Sequence, residues 1–192
     1  PADGERPPPA RRLAALGRGS GLSRLSSIGV RRADQLVVIA IAGPSALGVY
    51  SVAANLSEIT EYAGAAVGNA SFEDRRTLDD ATAARILRRL VPLLAALTAV
   101  VVLAGFLLIS PVFGSAFEGA TTVLLLLAPG MLARGRAITA VQIMLARGRA
   151  TQSSRILLAV LAVGLPVWVA ATEVWGIEGA AAATSCVYLL EA

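Results

Sequence analysis

The stretch RRADQLVVIAIAGPSALGVYSVAANLSEITE, residues 31–61, sets a charged Arg-Arg-x-Asp cluster against a long apolar run. No charged residue lies between Gln35 and Ser57, yet Gly43-Pro44 stands in the middle, and a proline there removes a helical hydrogen bond and crowds the preceding turn. The pattern predicts two membrane helices joined by a tight turn. Because charged groups that face lipid are costly, we expect those in this stretch to line a polar path inside the protein.

The composition also indicates a membrane protein. Of the 192 residues, 56% are hydrophobic and 16% are charged, and the mean hydropathy of +0.69 lies outside the range of ordinary soluble domains. Residues 90–117 carry no charge and exceed the roughly 20 residues that a spanning helix needs. With no His and one cysteine, Cys186, the sequence predicts no metal site, no internal disulfide and no cofactor.

Apolar runs and their breaks predict an all-α bundle of about six transmembrane helices. They are assigned to residues 20–42, 45–70, 81–110, 119–146, 154–172 and those that follow Gly176. The fourth is expected to kink at Pro129 and continue, because a stop there would leave about 11 residues, too few to span. Residues 1–12 read as a Pro-rich cytoplasmic linker and 13–192 as the membrane unit. We expect the 192-residue sequence to be a piece of a longer chain.

The arginines predict how the helices are oriented. All 17 basic residues are Arg, and 13 of them fall in three regions on one side of the predicted bundle. The alternate connections contain none, so the positive-inside rule places the Arg-rich regions in the cytoplasm. Those regions hold Arg6, Arg11, Arg12, Arg18, Arg24, Arg75, Arg76, Arg85, Arg88, Arg89, Arg147, Arg149 and Arg155. Trp168 and Trp175 are expected at the outer membrane interface.

The same distribution argues against nucleic-acid binding. The arginines are spread over loops and interrupted by acidic residues, without a concentrated basic face or interleaved aromatic residues. Their exclusive use over Lys, together with the abundance of Ala and Leu, is typical of a bacterial protein from a GC-rich genome.

Four arginines fall within the predicted spans: Arg31, Arg32, Arg134 and Arg136. Arg31 and Arg32 either form a pair with Asp34 that neutralises itself at a membrane boundary, or Asp34 has a functional role. In that role it holds an arginine toward a cavity, or it takes up and releases a proton during transport. Arg134 and Arg136 either follow an early helix end in a loop or line a cavity. In a cavity, the planar guanidinium suits the oxygens of a diphosphate.

A further set of polar residues lies in the second predicted helix. Asn55, Glu58 and Tyr62 have the spacing of one helical stripe and are predicted to face a common lumen. If the helix ends earlier, Glu58 and Glu61 are ordinary interface charges. No nucleophile, catalytic triad, phosphate-binding loop or catalytic pair of carboxylates is recognisable, so we do not predict an enzyme.

The order of these features resembles a known family. The pieces are GPSALGVYS at 43–51, VFG at 112–114, the Leu-rich run ending in APG at 130, the ARGR loop, and GIEGAAAA at 176–183. Together they resemble the second half of polysaccharide and O-antigen lipid flippases, which belong to the multidrug/oligosaccharidyl-lipid/polysaccharide exporter superfamily. The resemblance covers about Arg31 to Leu190.

The resemblance implies one lobe of an alternating-access transporter of about twelve helices in the bacterial inner membrane, with the N-terminal lobe missing here. The implied cargo is an oligosaccharide on a polyprenyl diphosphate, used in making cell-surface polysaccharide. Its diphosphate would meet the cavity residues Arg31, Arg134, Arg136 and Asn55. Asp34, Glu58 and Glu61 would serve in coupling to a proton or sodium ion, or in charge balance. Membrane lipids would surround the lobe.

Three alternatives stay open at this point, of which one is a purely structural membrane subunit. A cation-coupled multidrug antiporter of the same superfamily would favour an acidic, aromatic-lined cavity, whereas aromatic residues make up only 5% of this chain. A membrane-embedded polysaccharide polymerase or ligase would need a catalytic constellation, commonly in a large outer loop, and the predicted outer connections are short.

Overall fold

The computed structural model describes the backbone of residues 10–70 and 80–192, and the side chains of 28–67, 69, 81–145, 147–149 and 151–192. Four α-helices occupy these ranges: α1 is Ala10–Ala70, α2 is Asp80–Phe113, α3 is Gly119–Ala146 and α4 is Ala150–Glu191. A short 3₁₀ turn, Ser115–Phe117, joins α2 to α3. The described chain contains no β-strand.

Helix α1 folds back on itself at Gly43. This residue has φ 85° and ψ 176°, a backbone conformation open mainly to glycine, and Pro44 behind it lacks the N–H that would continue the helix. Tyr50 Oη lies 2.6 Å from Asp34 Oδ2, across 16 positions of sequence. In a straight helix 16 residues would span about 24 Å, so the two arms of α1 must lie side by side.

Helix α4 reverses in the same way at Gly176, which has φ 61° and ψ −139°. Trp168 Nε1 donates to Thr184 Oγ1 at 3.0 Å, again across 16 positions. Both breaks in the backbone fall where the sequence predicted a connection between helices. We call the parts before and after each glycine the first and second arms.

The other predicted boundaries are close to those observed. Helix α3 runs from Gly119 to Ala146 with Pro129 inside it, as predicted, while α2 continues through Pro111 to Phe113, three residues beyond the predicted end. The hexapeptide LARGRA occurs twice, within α3 at 132–137 and across the α3–α4 turn at 145–150. Helix α1 begins at Ala10, so the end of the predicted linker is helical; residues 1–9 and most of the polar connection, 71–79, lie outside the described residues.

Small residues let the helices approach closely. A Cβ placed on Gly64 of α1 would lie 2.2 Å from the carbonyl oxygen of Gly135 in α3, and one on Gly130 would lie 2.7 Å from Ser185 Cα in α4. Thr139 Oγ1 donates to Gly64 O at 2.9 Å across the first of these contacts. Backbone contact through small residues is the usual way in which membrane helices associate, because lipid supplies no hydrophobic drive between them.

The outward faces are apolar. Leu103, Phe106 and Leu107 of α2 are 60%, 67% and 60% exposed, and many aliphatic side chains on α1 and α4 also point outward. All four helices are long and apolar enough to cross a membrane. The structure therefore confirms that the described part of the chain is all-α and that its helices have membrane-spanning character. The count of six spans and the twelve-helix assembly stay predictions.

Candidate functional site

The polar side chains meet in one cleft between α1, α3 and α4. Both arms of α1, helix α3 and the second arm of α4 each contribute residues at helical spacing, and the space between them is about 20 Å³, room for about one water molecule. The cleft is lined by Arg31, Asp34 and Gln35 of the first arm of α1; Ala54, Ser57, Glu58 and Glu61 of its second arm; Leu127, Met131 and Arg134 of α3; and Thr184 and Tyr188 of α4.

Arg134 is the most deeply buried charge of the cleft, and its side chain is 1% exposed. Its Nε donates to Glu61 Oε1 at 2.8 Å, and its Nη1 donates to Glu191 Oε2. The Tyr188 ring lies 5.1 Å from the guanidinium carbon, a distance at which the face of the ring attracts a cation. Carboxylates from two helices thus hold an arginine from a third, so the burial of the guanidinium is offset by opposite charge.

Arg31 and Arg32 extend this network from the first arm of α1. Arg31 Nη1 lies 3.7 Å from Glu61 Oε2 and 4.0 Å from Glu58 Oε2, and Arg32 Nη2 lies 3.0 Å from Glu58 Oε1. We call these six residues, Arg31, Arg32, Glu58, Glu61, Arg134 and Glu191, the Arg134 cluster. It ties both arms of α1 to α3 and α4 with three guanidinium groups and three carboxylates.

Asp34 belongs to a separate network of neutral donors. Tyr50 Oη donates to Asp34 Oδ2 at 2.6 Å, Thr184 Oγ1 lies 3.3 Å from the same oxygen, and the Gln35 N–H reaches Oδ1 at 2.7 Å. Trp168 Nε1 in turn donates to Thr184. The Asp34 carboxyl is 3% exposed, and no arginine lies within 4.0 Å of it among the described side chains. We call Asp34, Tyr50, Thr184 and Trp168 the Asp34 node.

Only some of the predicted site residues lie in the cleft. Arg31, Arg134, Asp34, Glu58 and Glu61 meet in the cleft, whereas Asn55 and Arg136 are exposed and do not line it. Arg136 is two residues from Arg134, and two residues turn a helix by about 200°, so the two arginines leave α3 on nearly opposite sides.

The stripe on the second arm of α1 is also rotated from the one predicted. Asn55 and Tyr62 both lie about 40–60° to one side of Glu58, while the cleft-lining Ala54 and Glu61 lie on the other side. Tyr62 is 57% exposed and donates to Glu58 Oε2 from the rim at 2.9 Å.

Some residues of the site were not predicted. Glu191, Thr184 and Tyr188 follow one another at helical spacing on the second arm of α4, but they stand singly within an apolar run. Trp168 was assigned to the membrane interface and is instead fully buried, because its N–H bonds to Thr184. Trp175, at 68% exposure, does point outward.

Nine of the twelve residues that line the cleft carry a polar or charged side chain. Two carboxylate oxygens, Glu61 Oε2 and Glu191 Oε1, are buried without a hydrogen-bond donor among the described residues. In the same ranges, no three His, Cys, Asp or Glu side chains are grouped to hold a metal ion. The site thus combines an arginine paired with two carboxylates and, apart from it, a carboxylate held by hydroxyl groups.

No protein-family model matches this chain, and no curated protein or solved structure matches it either.

Proposed function

We propose that this chain is one lobe of an alternating-access transporter that moves a polyprenyl-diphosphate-linked oligosaccharide across the bacterial cytoplasmic membrane. The observation that carries the proposal is the burial of Arg134, whose side chain is 1% exposed within an apolar helix. Ionisable residues at such positions commonly mark the path of a polar or charged cargo. A guanidinium is also the side chain best shaped to hold phosphoryl oxygens with two hydrogen bonds.

Within this proposal, each arm of α1 and α4 spans the bilayer, which gives six spans together with α2 and α3. Helices α1 and α4 are each about 40 residues long over their apolar part, or about 60 Å if straight, twice the thickness of the hydrocarbon core. Reversal at Gly43 and Gly176 makes each arm fit one crossing. The Arg-rich connections then lie in the cytoplasm.

The closed cleft, with room for about one water molecule, is too small for a sugar diphosphate. We therefore assign it to a state without cargo, in which the helices have closed on one another. Arg31 and Arg134 are the proposed diphosphate contacts. Asn55 and Arg136, which are exposed outside the cleft, keep their predicted role only if another part of the transporter brings cargo to them.

A second candidate is a cation-coupled antiporter for amphipathic drugs. The observation in its favour is the Asp34 node, where a buried carboxylate is held by the Tyr50 and Thr184 hydroxyls and not by an arginine. Such a group suits uptake of a proton or sodium ion. It serves equally as the coupling site of a flippase, so the cargo must be tested directly.

The test is to deplete the protein in its host and to quantify lipid-linked oligosaccharide on each leaflet. We expect accumulation on the cytoplasmic leaflet and loss of surface polysaccharide, restored by the wild-type gene and by Arg136→Ala but not by Arg134→Ala or Asp34→Asn. Immunoblots of membranes confirm equal amounts of each variant. Unchanged lipid-linked sugar together with lost efflux of cationic dyes would replace the flippase with the antiporter.

A further inference from the structure

We propose that Glu61 and Glu191 are internal ligands of Arg134 that stand in for the diphosphate, and that the cargo opens the cleft by displacing them. This inference rests on the proposed function, because it assumes that the cargo carries a diphosphate. It assigns a role to Glu191, and it explains why the most buried arginine of the cleft is already paired.

Two donors of Arg134 are already occupied by carboxylates. Nε of Arg134 is held by Glu61 and Nη1 by Glu191, from α1 and α4 respectively. These are donors of the fork that a phosphoryl group would use. A diphosphate therefore cannot reach Arg134 through these donors until at least one carboxylate moves away. Like-charge repulsion between a diphosphate and the two carboxylates adds to the competition.

The two carboxylates that hold Arg134 each have one oxygen without a hydrogen-bond donor in the described part of the chain. Glu61 Oε2 and Glu191 Oε1 are buried and accept no hydrogen bond from the described side chains or backbone. Arg31 Nη1 lies 3.7 Å from Glu61 Oε2, which is longer than a hydrogen bond. A buried network with unsatisfied members is weaker than a complete one. A ligand that satisfies the same guanidinium groups more fully is able to replace it.

Arg134 and its two carboxylates also join three helices. Glu61 lies on the second arm of α1 and Glu191 on the second arm of α4, and Arg134 between them joins both arms to α3. Arg31 brings in the first arm of α1 through Glu58 and Glu61. Releasing the two carboxylates thus removes the ion pairs that join α3 to α1 and α4, while Glu58 still holds the two arms of α1 together, and the cleft widens beside α3 where the diphosphate enters.

The test measures binding of farnesyl diphosphate to the full chain in lipid nanodiscs. Glu61→Gln and Glu191→Gln keep the size and a hydrogen-bond acceptor but remove the competing charge, so each is expected to bind at least tenfold tighter than wild type. Glu178→Gln, on the exposed face of α4, is the matched control and should bind like wild type. Arg134→Gln should lose binding. Inorganic pyrophosphate, run in parallel, distinguishes a lipid-linked ligand from a free anion.

A second measurement leaves the charged residues of the Arg134 cluster unchanged. In a Cys186→Ser background, Ser57→Cys places a thiol in the cleft lining, and its reaction with a maleimide should rise severalfold as farnesyl diphosphate saturates the protein. Binding that depends on Arg134, with no gain in the two Gln variants and no rise in labelling, would overturn the internal-ligand proposal and leave the flippase intact. Failure of wild type and both Gln variants to bind would count against the proposed cargo itself.

Discussion

The contact between Gly64 and Gly135 gives the sharpest test of how the helices are assembled. In Gly64→Ala, the new methyl carbon would lie 2.2 Å from the Gly135 carbonyl oxygen and 2.9 Å from its carbonyl carbon. Ordinary contact begins near 3.4 Å, so α1 and α3 must separate by about 1 Å, and both atoms belong to a helix backbone that cannot rotate away. The separation also stretches the bond from Thr139 to Gly64 O, now 2.9 Å.

Overpacking of this kind costs about 1–3 kcal/mol, and loss of the hydrogen bond adds about 1 kcal/mol. We therefore expect Gly64→Ala to lower the free energy of unfolding by about 2–4 kcal/mol. The matched control is Gly48→Ala on the same arm, where the added carbon meets nothing within 4 Å. It should stabilise the helix by up to about 1 kcal/mol, since alanine is the better helix former.

The measurement is a titration with sodium dodecyl sulfate in mixed micelles, with helicity and side-chain fluorescence followed for both variants and wild type. The signs of the two changes must be opposite. Equal effects from Gly64→Ala and Gly48→Ala would mean that glycine acts only through helix propensity, and the close α1–α3 contact would be refuted.

The remaining predictions concern the Asp34 node. Tyr50→Phe removes the 2.6 Å hydrogen bond to Asp34 and should cost about 1.5–3 kcal/mol in the same titration, because the acceptor is a buried carboxylate. Tyr62→Phe, at an exposed ring, should stay within about 0.5 kcal/mol, and equal losses would contradict the buried assignment. Brominated lipids should quench Trp175 strongly in Trp168→Phe but leave Trp168 emission nearly unchanged in Trp175→Phe; equal quenching would place Trp168 at the lipid interface after all.

The fold was largely predictable because its decisive features are local. Gly43-Pro44 and Gly176 interrupt helices by their own backbone chemistry, and both reversals occur there. A helix that stopped at Pro129 would be too short to span, and α3 does continue to Ala146. The ends of helices were less certain, since the residues after Ser110 are apolar and extend α2 without any capping signal.

The site was only partly predictable because it depends on rotation about each helix axis. An apolar run predicts that a helix is long enough to span a membrane, but it does not show which of the polar residues in that helix face the protein interior. Arg134 and Arg136 look alike in sequence and separate by about 200° in the helix. Likewise, Asn55 and Glu61 are on opposite sides of Glu58. Glu191 carried no signal at all, since one carboxylate at the end of an apolar run has no partner within its own helix.

The two polar networks lie at different distances from the helix reversals. In the proposed membrane arrangement this difference gives the Arg134 cluster a role in cargo entry and the Asp34 node a role in coupling. Asp34 and Tyr50 are seven to nine residues from Gly43, about 12 Å along the arms. In the proposed six-span arrangement, the Asp34 node would therefore lie near the middle of a hydrocarbon core about 30 Å thick. Glu61 and Glu191 are about 27 Å and 22 Å from their reversals. In the proposed orientation, the Arg134 cluster therefore lies toward the cytoplasmic face, where cargo enters, and the Asp34 node lies deeper. Thr184 of the node and Glu191 of the cluster share the second arm of α4 at seven-residue spacing. The proposed release of Glu191 would therefore, by moving that arm, also displace a hydroxyl that holds Asp34. In the proposed transporter, cargo binding at one level would thereby be linked to the carboxylate at the other.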